Sequence, residues 1–402
     1  MARLMGDAAR ADRAATRRVR AIVDAVRRDG DRAVLRFARR FDRLAAPLEV
    51  TRAEMEAGAA LVPAELRRAL RQAARNIARV AFRQIPKHFD VDVMAGVSIE
   101  QRIEPLARVG CYVPGGRFPL PSSLLMTAVP ARVAGVREIV VVCPRPEPVV
   151  MAAALEAGIT RLFRVGGAQA IAALAYGTAT VPRVDKIVGP GNQYVAEAKA
   201  IVAGERACAI DFFAGPTEVV IVAGESRAGW VAADLVAQAE HDPQARSILV
   251  TWRRPFADRV AAAVARRAAG RPVAARALRT NGAIVLAAGA DDAMAIANRL
   301  APEHLVVENE ALTRRPLVAG AVFVGPYTAQ AAGDYATGSN HVLPTAGAAR
   351  VRGGLSAADF VRVMSVQRLT RAGLARLAPT ILPIARAEGL DAHAESIEVR
   401  LP

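Results

Sequence analysis

Between residues 139 and 324 the chain repeats one pattern: a short, apolar, β-branched run followed, in most cases, by a segment long enough for a helix. The runs are Ile139 to Cys143, Leu162 to Val165, Lys186 to Val188, Glu218 to Val222, Ser247 to Thr251, Ala283 to Leu286, Leu305 to Val307 and Ala321 to Val324. Continuous apolar character, without polar alternation, belongs to strands buried on both faces, and strands that alternate with helix-length connections pair in parallel. The pattern predicts an α/β chain with two Rossmann-like parallel-sheet domains of an incomplete nucleotide-binding type. With 402 residues, 53% of them hydrophobic, the chain can bury two such cores.

The flanks read differently. From Asp12 to Arg43 apolar residues fall at helical spacing, Val19, Ile22, Val23 and Val26 before Gly30 and Val34, Leu35, Phe37, Ala38 and Phe41 after it. Helical spacing returns from Leu66 to Ala81, and Gln84 to Glu104 has the mixed polarity of a connector or hairpin. Gly110 to Gly116 is turn-rich, and a helix is expected near Ser122 to Ala134. From Leu355 to about Glu388 the period is mostly helical, with breaks expected at Pro379 and Pro383. The predicted organisation has residues 1–111 as a helical lead-in that joins 218–354 in a first α/β domain. Residues 112–217 form the second, and 355–402 a C-terminal helical arm.

Charge argues less than its size suggests. The formal net charge is +16, but among 54 basic residues only Lys87, Lys186 and Lys199 are lysines, and the arginines are scattered beside abundant alanine. No run of five or six basic residues occurs, and aromatic residues make up 4% of the chain, too few for the stacking platform of a single-strand binder. No nucleic-acid partner is expected. Cys111, Cys143 and Cys208 form neither a CxxC pair nor an even-numbered framework, which fits a reducing compartment. Met1 to Arg20 is charged and lacks the apolar centre of a leader, and the longest uncharged stretches, 165–182 and 316–333, are broken by glycine, proline and polar residues and do not read as membrane spans. A cytoplasmic chain without a membrane partner is expected.

Two glycine-rich turns, Val165-Gly-Gly-Ala-Gln-Ala170 and Val188-Gly-Pro-Gly-Asn-Gln193, follow predicted strands and open predicted helices. Such junctions permit a close ligand approach, and amides at a helix start favour phosphate. Neither completes GxGxxG, so dinucleotide binding and a pair of plain tight loops both stay open. The histidines cluster with carboxylates and amides: Gln238 with His241, Glu303 with His304, Asp334 with Asn340 and His341, and Glu388 with His393. Gln238 and His241 stand three apart on a helical pattern, so both can reach one point, and their N/O donors suit Zn²⁺ or Mn²⁺. Asp334 and His393 could complete that set; the alternative is a polar patch at a helix end. Glu303 and His304 sit at a loop-to-strand junction, where neighbours on an extended segment point to opposite sides and could serve separate proton transfers. Gly333 to Pro344 is small and polar, a poor core and a good binding surface.

In family order, the segments Tyr112-Val-Pro-Gly-Gly116, Val165-Gly-Gly-Ala-Gln169, Val184 to Asn192, Ala214-Gly-Pro-Thr-Glu218, Gln238-Ala-Glu-His241, Ala301-Pro-Glu-His304, Gly333-Asp-Tyr335 and Asn340-His341 resemble the histidinol dehydrogenase family over nearly the whole chain. The resemblance implies an NAD-dependent, four-electron oxidation of L-histidinol to L-histidine through bound histidinal, the last step of histidine biosynthesis, with one Zn²⁺ per site. It implies Gln238, His241, Asp334 and His393 as metal ligands, and a metal that orients substrate through its nitrogens. Glu303 and His304 would be catalytic, His304 as the base for the alcohol proton and Glu303 as the group that activates water. Thr217, His341 and Glu388 would join Gln238, His241, His304, Asp334 and His393 around the substrate. Tyr112, Gln169 and Asn192 would contact NAD. The resemblance also implies a homodimer in which the arm carries Glu388 and His393 into the partner's site.

Two departures bear on the substrate. Thr217 stands where the family usually has Ser, and Arg117 to Pro121 is unusual in detail. A relative oxidising another small amino or hydroxy alcohol, a non-catalytic metal- or nucleotide-binding oligomer, and a basic RNA-binding protein are the competing readings.

Overall fold

Two sheets with the same plan organise the molecule. A computed structural model describes residues 13–115, 118–212 and 215–401; the expectations placed on the first twelve residues and on Gly116, Arg117 and Ala214 lie outside them. The first sheet runs Glu49–Val50, Arg161–Phe163, Glu138–Val142, Arg108–Tyr112, Lys186–Val188, Ala209–Ile210, and all neighbours except the Glu49–Val50 edge pair in parallel. The second runs Ala283–Leu286, Arg246–Thr251, Glu218–Val222, His304–Val307, Ala321–Val324, all parallel. Apart from the antiparallel edge Glu49–Val50 of the first, in each sheet the chain starts at a central strand, winds outward twice, returns to that strand's other side and winds outward again. This doubly wound order is the parallel α/β class that the apolar runs predict.

Burial explains why those runs lack alternation. Every residue of Glu218–Val222 is buried, because helices cover both faces. The first sheet is likewise enclosed, and here the packing differs from the predicted organisation. Val19, Val23, Val26 and Val34 of the lead-in pack with Ile171 and Leu174 on one face. Met55, Leu70 and Ile77 pack with Leu124 and Leu125 on the other. The lead-in helices, Arg13–Asp29, Arg52–Ala60 and Ala64–Gln84 among them, thus complete the six-stranded sheet, where the sequence reading attached them to 218–354. Periodicity shows that a helix has an apolar face but not which sheet that face covers.

Three further differences are local. Arg108–Tyr112, read as part of a turn-rich element, is a central strand of the first sheet. The connector is a hairpin of Phe89–Met94 and Val97–Pro105, and Val361–Leu369, expected to be helical, adds a third antiparallel strand to it through nine paired positions. The helix Arg371–Ala387 then runs through both Pro379 and Pro383 instead of breaking. Its buried Ala378 and Ala385 anchor the element that each proline weakens.

A buried ion pair ties the second glycine turn to the sheet. Lys199 Nζ donates to Asp211 Oδ1 at 2.8 Å and to the Gly189 carbonyl at 2.6 Å, while Asp211 Oδ2 accepts the Gly189 N–H at 2.8 Å. Gly189 has φ +115°, and a Cβ there would lie 2.3 Å from the Tyr112 carbonyl oxygen. Lys199→Met leaves the Asp211 carboxylate uncompensated and is expected to cost about 3–5 kcal/mol of stability in urea unfolding. A loss below about 1 kcal/mol would place the pair in contact with water.

Candidate active site

The acid–base residues gather at the amino edge of the second sheet. Register pairs His304 with Val219, so Glu303 lies beside Glu218 at the entrance to two adjacent strands. The Glu303 carboxylate oxygen Oε2 accepts hydrogen bonds from the Thr217 hydroxyl at 2.6 Å and from the Glu218 N–H at 2.9 Å. His304 Nδ1 donates to the Glu218 carbonyl at 3.1 Å. A carbonyl can only accept, so the proton sits on Nδ1 and Nε2 carries the lone pair. That Nε2 is buried without a hydrogen-bond partner among the described residues, 3.8 Å from Asp334 Oδ1.

Glu303 and His304 do not point to opposite sides. Glu303 lies in a bend before the strand, and its Oε2 comes within 3.6 Å of His304 Nδ1. Burial pushes the Glu303 carboxyl up to about 8 against the bonds from Thr217 and Glu218, and pushes Glu218 up to about 7. Burial also lowers His304 and holds His341 down at about 4, so both imidazoles are neutral near pH 7. Asp334 is raised by burial, with His304 and His241 acting the other way.

Gln238, on the helix Ala228–Ala239, donates through Nε2 to the Thr217 hydroxyl, and its Oε1 is a buried oxygen without a partner among the described residues. His241 is exposed in the turn after that helix, near enough for its charge to act on His304 and Asp334. Asp334 comes from the short helix Gln330–Tyr335, and its carbonyl accepts from His341 Nδ1 at 2.9 Å. Thr217, Gln238, Glu303, His304, Asp334 and His341 thus come together. Glu388 and His393 do not join them within one chain: both are exposed on the arm, whose helices pack on each other and on Val361–Leu369. Among the described residues no group of three His, Cys, Asp or Glu side chains that could hold a metal converges.

The three residues expected to meet NAD sit on the first sheet, at the carboxyl ends of its strands. Its winding reverses between Arg108–Tyr112 and Lys186–Val188, where such sheets open a ligand crevice. Tyr112 ends one flanking strand, Asn192 follows the other, and Gln169 lies in the first turn of the helix Gly167–Tyr176 that follows Arg161–Phe163. Their turns are satisfied from within. Tyr112 hydroxyl accepts the Gly167 N–H at 3.0 Å, and Asp42 from the lead-in accepts the Gly166 N–H at 3.0 Å and Gln169 Nε2 at 3.1 Å. Asn192 Oδ1 caps the next helix through Tyr194 N–H at 3.0 Å. These amides are engaged, so the turns present side chains and close backbone rather than a phosphate cradle.

Ser123 Oγ, near the start of the helix Pro121–Val133, approaches His341 Nε2 at 3.5 Å, and Asn340 Nδ2 donates to the Met126 carbonyl at 2.7 Å. The carboxyl edge of the first sheet therefore faces the amino edge of the second. The second sheet's own carboxyl-edge cleft, beside Trp230 and Asp234, holds none of these groups, and Glu308 there accepts the Gly224 and Glu225 N–H groups at 2.9 Å each. Sequence reading missed Glu218, Asp42 and Gln330. Adjacency to Thr217 and i,i+4 spacing before Asp334 were available signals for the first and last; nothing local marked Asp42.

Two doubly wound sheets face each other across a buried neutral imidazole, the frame of an α/β protein with a buried base between its sheets. Comparison with known proteins narrows the class. A family model described as histidinol dehydrogenase matches residues 7–401. Histidinol dehydrogenase of Brucella suis biovar 1 is 48% identical over 399 residues, covering 96% of this chain and 92% of that one. That of Geobacter sulfurreducens is 47% identical over 395 residues, covering 94% and 92%. The crystal structure of histidinol dehydrogenase from Elizabethkingia anophelis superposes with a TM-score of 0.94 at 33% identity, covering 99% of this chain and 94% of that one. The chain belongs to the histidinol dehydrogenase family.

The raised Glu303 pKa has a sign that can be checked on chelator-treated protein. A carboxyl at 4.5 when unfolded and about 8 when folded contributes stability that is fully present below pH 4.5 and lost as pH rises toward 8. The melting-temperature difference between Glu303→Gln and the parent should therefore shift in the variant's favour across that window and level off above it. A difference independent of pH would mean that Glu303 ionises normally in the folded chain.

Proposed function

We propose that this oxidoreductase converts L-histidinol to L-histidine through L-histidinal, with two NAD reduced per substrate and one Zn²⁺ per site. The observation that carries the reading is His304: a buried, neutral imidazole with its proton fixed on Nδ1 and an unpartnered Nε2 beside Asp334. Such a nitrogen is a general base awaiting a substrate hydroxyl. The family's metal also fits the donors present. Gln238 Oε1 is an orphaned buried oxygen, Asp334 supplies a carboxylate and His241 an imidazole nitrogen, a borderline-hard set suited to zinc or manganese. When bound, the metal would orient the substrate through its nitrogens and NAD would accept hydride.

The chain's own residues supply the proton chemistry. His304 Nε2 takes the alcohol proton as hydride leaves carbon. In the second oxidation Glu303 takes a proton from the water that adds to the aldehyde, and His304 again handles the proton released. Burial keeps Glu303 protonated near neutrality, so the second step favours the alkaline side of its pKa. Thr217 links Glu303 to Gln238, and His341, anchored on the Asp334 carbonyl, faces the substrate. Tyr112, Gln169 and Asn192 line the switch-point crevice proposed for NAD.

His393 and Glu388 enter this reading from a second copy. Phe89, Val91 and Val93 of the hairpin, Val363 and Leu369 of the third strand, and Ile384, Leu390 and Val399 of the arm are all exposed. Apolar exposure on that scale supports a buried interface, and exchange of arms would bring His393 to the partner's Gln238, His241 and Asp334. No nucleic acid or membrane enters the reading: no helix among the described residues is long and apolar enough to cross a membrane, and a cytoplasmic enzyme is proposed.

Purified protein given L-histidinol and NAD should form two NADH per substrate, with activity lost to a chelator and restored by zinc. No NADH from histidinol, but turnover of another amino or hydroxy alcohol, would reassign the substrate; no turnover in folded, zinc-loaded protein would leave a binding protein. His304→Asn and His393→Ala should each abolish most turnover. Unfolded and refolded as a mixture, the two variants should recover about a quarter of parental activity, because half the dimers are mixed and each has one intact site. Failure of the mixture to recover would put His393 in its own chain's site.

A further inference from the structure

We propose that Gln330 is the positioning residue that presents Asp334 to the metal, an inference that rests on the zinc reading above. Gln330 is 1% exposed, on the first position of the helix that carries Asp334. One helical turn separates them, and Gln330 Nε2 donates to Asp334 Oδ2 at 2.9 Å. That bond occupies one carboxylate oxygen and leaves Oδ1 as the oxygen 3.8 Å from His304 Nε2, toward the substrate base.

The rest of Asp334 is pinned as well. Its carbonyl accepts from His341, and a Cβ on neighbouring Gly333 would lie 2.7 Å from the Phe323 ring, so this helix turn sits hard against the strand Ala321–Val324. Backbone position is thereby set by packing. Rotation of the carboxylate about its last bond is broad and roughly two-fold, and Gln330 is the group that fixes it. An amide suits this role because it donates a hydrogen bond without a positive charge, leaving the carboxylate's full charge for a cation. Hydrogen-bond partners behind a ligand typically affect metal affinity by 10–100-fold.

The test is zinc affinity, measured by chelator competition on the full chain, together with the visible spectrum of the cobalt-substituted protein. Gln330→Met, similar in size but without the donor, should bind zinc about 10–100-fold more weakly and change the cobalt spectrum. In an Asp334→Asn background the same substitution should have little further effect, because Gln330 acts through that carboxylate. Affinity for NAD and the metal-free melting temperature serve as controls that a general loss of packing would move. If Gln330→Met does not fold, Gln330→Asn, whose amide is one methylene too short to reach Asp334, makes the same comparison. Parental protein that binds zinc while the variant binds it equally well overturns the role of Gln330 and leaves the zinc site standing. Parental protein that binds no zinc overturns both.

Discussion

The main chain of Glu218 fixes both acid–base groups. Its carbonyl sets the tautomer of His304, and its N–H holds the Glu303 carboxyl. Both contacts follow from the parallel register of Glu218–Val222 against His304–Val307, which places two strand entrances side by side. A slip by one residue would reverse every side chain of the strand and separate the pair. The site is thus as rigid as the most buried strands of the molecule. Glu218's own carboxylate accepts the Ala346 N–H at 3.0 Å, so the same residue also ties down the segment that follows His341.

Two copies of one plan are used in opposite senses. The first sheet offers its carboxyl edge, where doubly wound sheets open a crevice; the second offers its amino edge, where strand entrances expose Glu303 and His304. At the second sheet's carboxyl edge Glu308 occupies the Gly224 and Glu225 amides that an anion would need. That edge is thereby closed to phosphate by the chain itself. On the first sheet Asp42 and the Tyr112 hydroxyl occupy the amides of Gly166 and Gly167 in a comparable way, and Tyr112 and Gln169 are themselves buried there. The incomplete GxGxxG pattern of both turns has a physical counterpart: their amides are already held by the chain's own groups.

Most strands of both sheets were legible as uninterrupted apolar sequence, which burial on two faces explains for central ones such as Glu218–Val222. Lys186–Val188, Glu218–Val222, Ala283–Leu286 and Ala321–Val324 begin and end where that reading puts them. Arg108–Tyr112 was not legible: its Gly110 lies so close to Leu174 that a Cβ would come within 2.9 Å of that side chain, and a glycine needed for packing looks in sequence like a turn. Val361–Leu369 was hidden by its surroundings, since its pairing partner lies more than 250 residues away and its exposed face carries no core pattern. The clustered residues of the second sheet's edge were legible as motifs. Their hydrogen-bond logic was not, because it runs through backbone groups and register, which composition and spacing do not encode.

The arm shows why one chain makes a poor container for this chemistry. Gln238 Oε1 and His304 Nε2 are buried polar atoms without partners among the described residues, and such atoms are costly when left unmet. Meanwhile His393 and Glu388 are exposed on helices that also expose Ile384, Leu390 and Val399. Unmet polar atoms inside and unmet apolar surface outside are resolved together if the arm of one copy closes over the core of another. In the proposed dimer the apolar residues of hairpin and arm supply the association free energy, and the polar residues between them complete the ligand set. In that dimer catalytic competence would depend on association, because the residue proposed to finish the metal site is carried by the surface proposed to make the dimer.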